Sequence, residues 1–84
     1  MDRIKTGMLA KSKAGHDSGK VYVIMDYDHA YVYLVDGEIR TLENPKKKKI
    51  KHVQIIRKRN NLKDITDVKI KRILKIWKKG REKK

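Results

Sequence analysis

The sequence predicts a mainly β protein, a small closed sheet of five short antiparallel strands followed by a basic C-terminal α-helix. Three observations predict it. β-Branched and aromatic residues gather in short runs, such as Val21 to Met25 and Tyr31 to Val35, separated by turn-forming residues. Apolar residues adopt helical spacing only near the end, where Ile70, Ile73, Leu74 and Trp77 recur at i, i+3, i+4 and i+7. Charge divides the chain: residues 1–45 hold 6 Lys and Arg against 7 Asp and Glu, whereas residues 46–84 hold 18 against 3.

Residues 1–6 form a short polar lead-in with Ile4 as its apolar anchor. A first strand covers residues 7–13, and residues 14–20 are loop chemistry. There Gly15 and Gly19 supply positive φ and, lacking Cβ, allow close approach of a phosphate or a neighbouring backbone. The second strand spans residues 20–27, with Val21, Val23 and Met25 on one face and Tyr22, Ile24 and Asp26 on the other. One face is expected to be buried and the other partly covered. A turn at residues 26–29 leads to a third strand at 31–35. Asp36-Gly37 is a hairpin signal, so residues 38–42 are expected to pair back as a fourth strand, with Ile39 inward and Arg40 outward. Pro45 interrupts pairing and starts a basic loop, Lys46, Lys47, Lys48 and Lys49. Residues 50–57 then read as the closing strand.

After Arg57 the pattern changes, which divides the chain into a β module at 1–59 and a basic helix and tail at 60–84. Asn60-Asn61 is a turn pair, and residues 64–67 offer an N-cap with an acidic first turn. Residues 68–79 form the helix, whose apolar face is Ile70, Ile73, Leu74 and Trp77. Lysines 78 and 79 suit the negative end of its dipole. Gly80 is expected to stop it, and residues 81–84 to form a disordered basic tail.

With 84 residues and a net charge of +14, there is room for one small domain and a modest core. The cationic back half opposes its own compaction unless a polyanion neutralises it, and nucleic acid is the commonest such partner inside cells, with anionic membrane surface the competitor. The absence of cysteine excludes disulfides and thiolate metal sites. No apolar run approaches a membrane span or signal-peptide core. The expectation is a soluble cytoplasmic protein.

The residues Gly7, Ser12 to Ala14, Gly15, Gly19-Lys20, Val21 and Val23 together resemble the KOW motif of small ribosomal proteins and transcription elongation factors. A second block, Leu34-Val35-Asp36-Gly37 followed by the basic run into Ile50-Lys51-His52-Val53, is similar to KOW proteins of the archaeal and eukaryotic large ribosomal subunit and to short bacterial KOW-domain RNA-binding proteins. Val21 and Tyr22 stand where many KOW loops have a further glycine, and His16 where relatives often have a basic residue. The resemblance covers most of residues 5–57. It implies an SH3-like barrel and binding of RNA, ribosomal RNA above all, with ribosomal proteins as further partners.

No catalytic constellation is present. His16, Asp17 and Ser18 have the side-chain types of a triad, but neighbours on one loop cannot converge as base and nucleophile must. The three histidines lack metal-ligand spacing. Neither enzyme activity, cofactor, metal nor small-molecule substrate is expected. The candidate RNA contacts are Lys11, Ser12, Lys13, Gly15, His16, Gly19 and Lys20 on the first loop, with Arg40, Lys46, Lys47, Lys48, Lys49, Lys51 and His52 beside it. Lys71, Arg72, Lys75, Lys78 and Lys79 form an accessory cationic helix face. Trp77 is expected in the core, while Tyr31 and Tyr33 could pack or stack on bases. About six phosphate contacts would give a log–log salt slope near −4 for single-stranded RNA. Two other function classes remain: a module docking on a ribosomal protein or RNA polymerase, and a basic helix lying on anionic membrane.

Overall fold

In the computed structural model, which describes residues 4–82 (the backbone alone for 81 and 82), five strands and one helix follow one another. They are β1 Leu9–Ser12, β2 Val21–Tyr27, β3 Tyr31–Val35, β4 Lys46–Lys49, β5 Val53–Ile56 and α1 Asp67–Glu82, with a 3₁₀ turn Ile50–His52 between β4 and β5. All pairings are antiparallel, in the order β4-β3-β2-β1-β5. No ladder joins β4 to β5, so the sheet is not closed. Yet these two edge strands are separated in sequence by only the 3₁₀ turn, which advances about 2 Å per residue. The sheet must therefore curl to bring its edges close.

Curling gives the sheet two apolar faces. Ala10 pairs with Tyr22 and Ile24 with Leu34; these side chains, with Met8, Val32 and Val53, fill the inside of the curl. Leu9 pairs with Val23 and Val23 with Val35, and this second face is covered by Ile70 of α1, with Ile73, Leu74 and Trp77 packed around it. The face expected to be only partly covered is thus fully buried where the helix lies. Each completely buried aliphatic side chain there contributes about 1.5–3 kcal/mol, so helix and sheet share one core. Thr66 caps α1, its hydroxyl accepting the Lys69 N–H at 3.2 Å.

Five expectations need correction. Residues 38–42 are not a strand, and Ile39 is 73% exposed instead of inward. Asp36 is the reason. Its carboxylate turns back to accept the N–H groups of Glu38 (2.8 Å) and Arg40 (2.9 Å), while the Arg40 carbonyl accepts those of Asp36 and Gly37. These bonds fold the segment into a tight loop. The fourth strand is instead Lys46–Lys49, the stretch expected to be a basic loop. A lysine-rich strand is at home on a sheet edge, where its charges deter pairing with other chains, and Pro45 lies just outside it. The closing strand begins at Val53, not residue 50, because a 3₁₀ turn occupies 50–52, and the first strand is likewise shorter, starting at Leu9. Finally, Gly80 does not stop the helix, which runs through residues 81 and 82; a glycine ends a helix when the chain turns left-handed there, and Gly80 has no positive φ. The rest of the expected tail, residues 83 and 84, lies outside the described residues.

Candidate nucleic-acid interface

The β1–β2 loop and the lysine strand are far apart in sequence but meet at one carboxylate. Asp17 Oδ2 accepts the Tyr22 hydroxyl at 2.8 Å and the Lys46 ammonium at 2.8 Å. Its Oδ1 accepts the Ser12 hydroxyl at 2.8 Å and Lys48 Nζ at 3.1 Å. Lys48 Nζ also donates to the Ala14 carbonyl at 2.9 Å, and the Lys13 N–H to the His52 carbonyl at 2.9 Å. β4 makes this possible by its period of two. Lys46 and Lys48 pair with Leu34 and Val32 and so share the inner face. Their stems cross apolar surface and their charges reach the loop.

Burial disfavours the charged form of Asp17, but the donors Lys46, Tyr22, Ser12 and Lys48 outweigh it and hold its carboxyl well below the ordinary range. Tyr22 moves the other way: burial, then the adjoining Asp17 carboxylate, push its phenol far above the usual value. Asp36 is also depressed. Its burial is outweighed by Lys20 and by the N–H groups of Glu38 and Arg40, and the buried Oδ2 is met by the Lys20 ammonium at 2.6 Å. Asp28 is lowered by the N–H groups of Ala30 and Tyr31 in the β2–β3 turn.

A depressed carboxyl stabilises the fold above its unfolded pKa and loses that contribution as pH falls through the folded value. The stabilisation from Asp17, Asp28 and Asp36 is therefore complete at neutral pH and decays below about 3.9, the ordinary aspartate value. Urea-unfolding midpoints between pH 5 and pH 2 should fall, and Asp17→Asn should make that fall shallower. An unchanged acid limb in the variant would remove Asp17 from this role. For Tyr22 the sign is reversed: its contribution is present below about pH 10 and is lost as pH rises toward its elevated folded value.

The anticipated contacts thus separate into groups. The loop and the stretch from Lys46 to His52 do come together, as expected. Ser12 is 2% exposed and serves the loop from inside, and Lys46, Lys48 and Lys20 are in ion pairs. Lys11 and Arg40 are half-buried, as is His52, whereas Lys13, Gly15, His16, Gly19, Lys47, Lys49 and Lys51 are exposed. Lys47 and Lys49 pair with Tyr33 and Tyr31 on the outer face of the sheet, and the Lys47 ammonium lies 4.3 Å from the Tyr31 ring centroid. Both tyrosines are half-buried, which leaves part of each ring at the surface. On α1, Lys71, Arg72, Lys75, Lys78 and Lys79 are all exposed. The chain matches no protein-family model and no curated protein sequence.

Asp17 escaped the sequence reading as an organising residue. The available signal was its being the sole acid between Gly7 and Lys20, among three lysines. Among the described residues no group of three or more His, Cys, Asp or Glu is arranged to hold a metal ion, and no helix is long and apolar enough to cross a membrane.

Proposed function

We propose that the chain is a KOW-type RNA-binding module, an SH3-like barrel with an accessory cationic helix. It binds ribosomal RNA through phosphate and shape contacts, in association with the ribosome in the cytoplasm, and performs no catalysis. The observation that carries this reading is the Asp17 junction, which holds the glycine loop against the lysine strand so that Lys13, Lys47, Lys49 and Lys51 project from a fixed scaffold. Fixed cations lose less entropy on meeting phosphates than those of a loose tail. The curl of the sheet, with a 3₁₀ turn linking its edge strands, supports the barrel reading. Tyr31 and Tyr33 beside Lys47 and Lys49 add ring surface for unpaired bases.

Phosphate contacts release counterions, so affinity for single-stranded RNA should fall with salt by about 0.7 log units per contact per decade. Reversing Lys47 and Lys49 to Glu removes two contacts, and fluorescence anisotropy with labelled RNA should show the log–log slope flattening by at least about 1.4. A slope unchanged by these substitutions would take the surface out of RNA binding. Loss of ribosome association with RNA affinity intact would favour docking on a ribosomal protein instead.

A further inference from the structure

A groove of about 600 Å³ opens where α1 passes the far end of the glycine loop. Its apolar lining is Val21, Leu74 and Trp77, and its charged lining includes Lys20, Asp36, Glu38 and Lys71. The two acids are already answered: Asp36 by Lys20 at 2.6 Å, and Glu38 by Lys71 at 3.7 Å. Three further lining cations, Arg72, Lys75 and Lys78, make no ion pair with any described residue. The groove therefore combines an apolar lining that includes an indole with a positive rim that no described acid answers. At the rim Gly19 has open space where a Cβ would stand, so backbone there can approach a ligand closely.

Apolar ring surface beside excess positive charge complements a molecule with a flat aromatic part and an attached anion. We propose that this groove binds a nucleotide of an unpaired RNA strand, its base against Trp77 and Leu74 and its phosphates on Arg72, Lys75 and Lys78. The inference rests on the RNA-binding reading and extends it from phosphate contact to base contact. A duplex fits poorly, because a paired base would first have to leave its stack. An acidic peptide would satisfy the rim but brings no flat ring to the apolar lining. The loop connects this groove to the lysine surface, since Asp17 engages β4 while Gly19 and Lys20 face α1.

Trp77 is the single tryptophan of the chain, so its emission reports on the groove without any substitution. The intact chain at low salt is titrated with a dodecamer of uridylate, with a 12-base-pair RNA duplex, with inorganic polyphosphate and with poly-glutamate, following Trp77 emission; anisotropy of labelled RNA measures binding in parallel. The dodecamer should quench Trp77 in step with binding, and the duplex, polyphosphate and poly-glutamate should not. Lys75→Glu with Lys78→Glu should weaken dodecamer binding about tenfold or more, whereas Lys58→Glu with Lys63→Glu, the same change of charge at exposed positions outside the groove, should weaken it much less. If the dodecamer binds without altering Trp77 emission, the groove inference falls while the RNA reading stands. Equal quenching by polyphosphate or poly-glutamate overturns it in favour of a general anion site, and failure of the chain to bind any RNA overturns both.

Discussion

Asp17→Ala should lower the free energy of unfolding by about 3 kcal/mol, the scale for removing one partner from a buried ion pair. An 84-residue domain has roughly 4–13 kcal/mol in total at the usual stability per residue, so the loss is a large fraction. Four donors converge on this carboxylate, from Ser12, Tyr22, Lys46 and Lys48. Tyr22 is 2% exposed and cannot turn to water for a substitute partner, so its hydroxyl is left with a desolvation cost, whereas the Ser12 hydroxyl keeps the Ala14 carbonyl at 3.0 Å. Removing an acid also brings Lys46 and Lys48 into mutual repulsion. Asp17→Asn retains an acceptor oxygen but not the charge, and should lie between the wild type and Asp17→Ala. Asp26→Ala is the comparison, because Asp26 is exposed and its carboxylate, among the described residues, bonds only its neighbour's N–H; its cost should stay within about 0.5 kcal/mol. Urea midpoints at neutral pH measure all three. Equal losses for Asp17→Ala and Asp26→Ala would mean that the loop and β4 are not held together through this carboxylate.

The parts of the fold that were legible in the sequence are those fixed by local periodicity. β3 has the expected bounds, β2 differs by one residue, and the helix presents the expected Ile70, Ile73, Leu74 and Trp77 to the core. β4 was not legible, because four consecutive lysines have no intrinsic tendency toward a strand. Their pairing depends on the exposed edge of β3 and on Asp17, both distant in sequence. The Asp36-Gly37 signal was correct for the turn, where Gly37 has φ of 82°. The path beyond it was set by the Asp36 carboxylate and by the arrival of α1, which no local pattern encodes. For the candidate site, composition located the cationic surface, but a count of lysines cannot distinguish Lys47 at the surface from Lys48 folded onto Asp17. The groove beside Trp77 was illegible for a similar reason: it exists only because a loop before β2 and a helix about fifty residues later enclose the same space.

That enclosure depends on Gly37, and Gly37→Ala should cost about 3 kcal/mol or more and lift the start of α1 from the sheet. Two penalties coincide there. With φ at 82°, any side chain pays about 1–2 kcal/mol for the left-handed backbone. A Cβ at Gly37 would also collide with the Asp67 carbonyl oxygen and stand 2.7 Å from Lys71 Cγ. The carbonyl is backbone and cannot swing aside, so the first turn of the helix must move. Its movement strains the bond from the Leu42 N–H to Asp67 Oδ1, 2.9 Å long, and loosens Ile70, which is fully buried against Leu9, Val23 and Val35. Gly19→Ala separates the two penalties, because Gly19 has φ of 90° but nothing within 4 Å of an added Cβ. Its cost should therefore be the backbone share alone, about 1–2 kcal/mol. Urea denaturation gives the two losses, and the Trp77 emission maximum reports helix seating, shifting to the red in Gly37→Ala and staying in place in Gly19→Ala. Equal losses with unshifted emission would mean that the close approach of α1 to Gly37 is not what seats the helix, and that its apolar face alone holds it on the sheet.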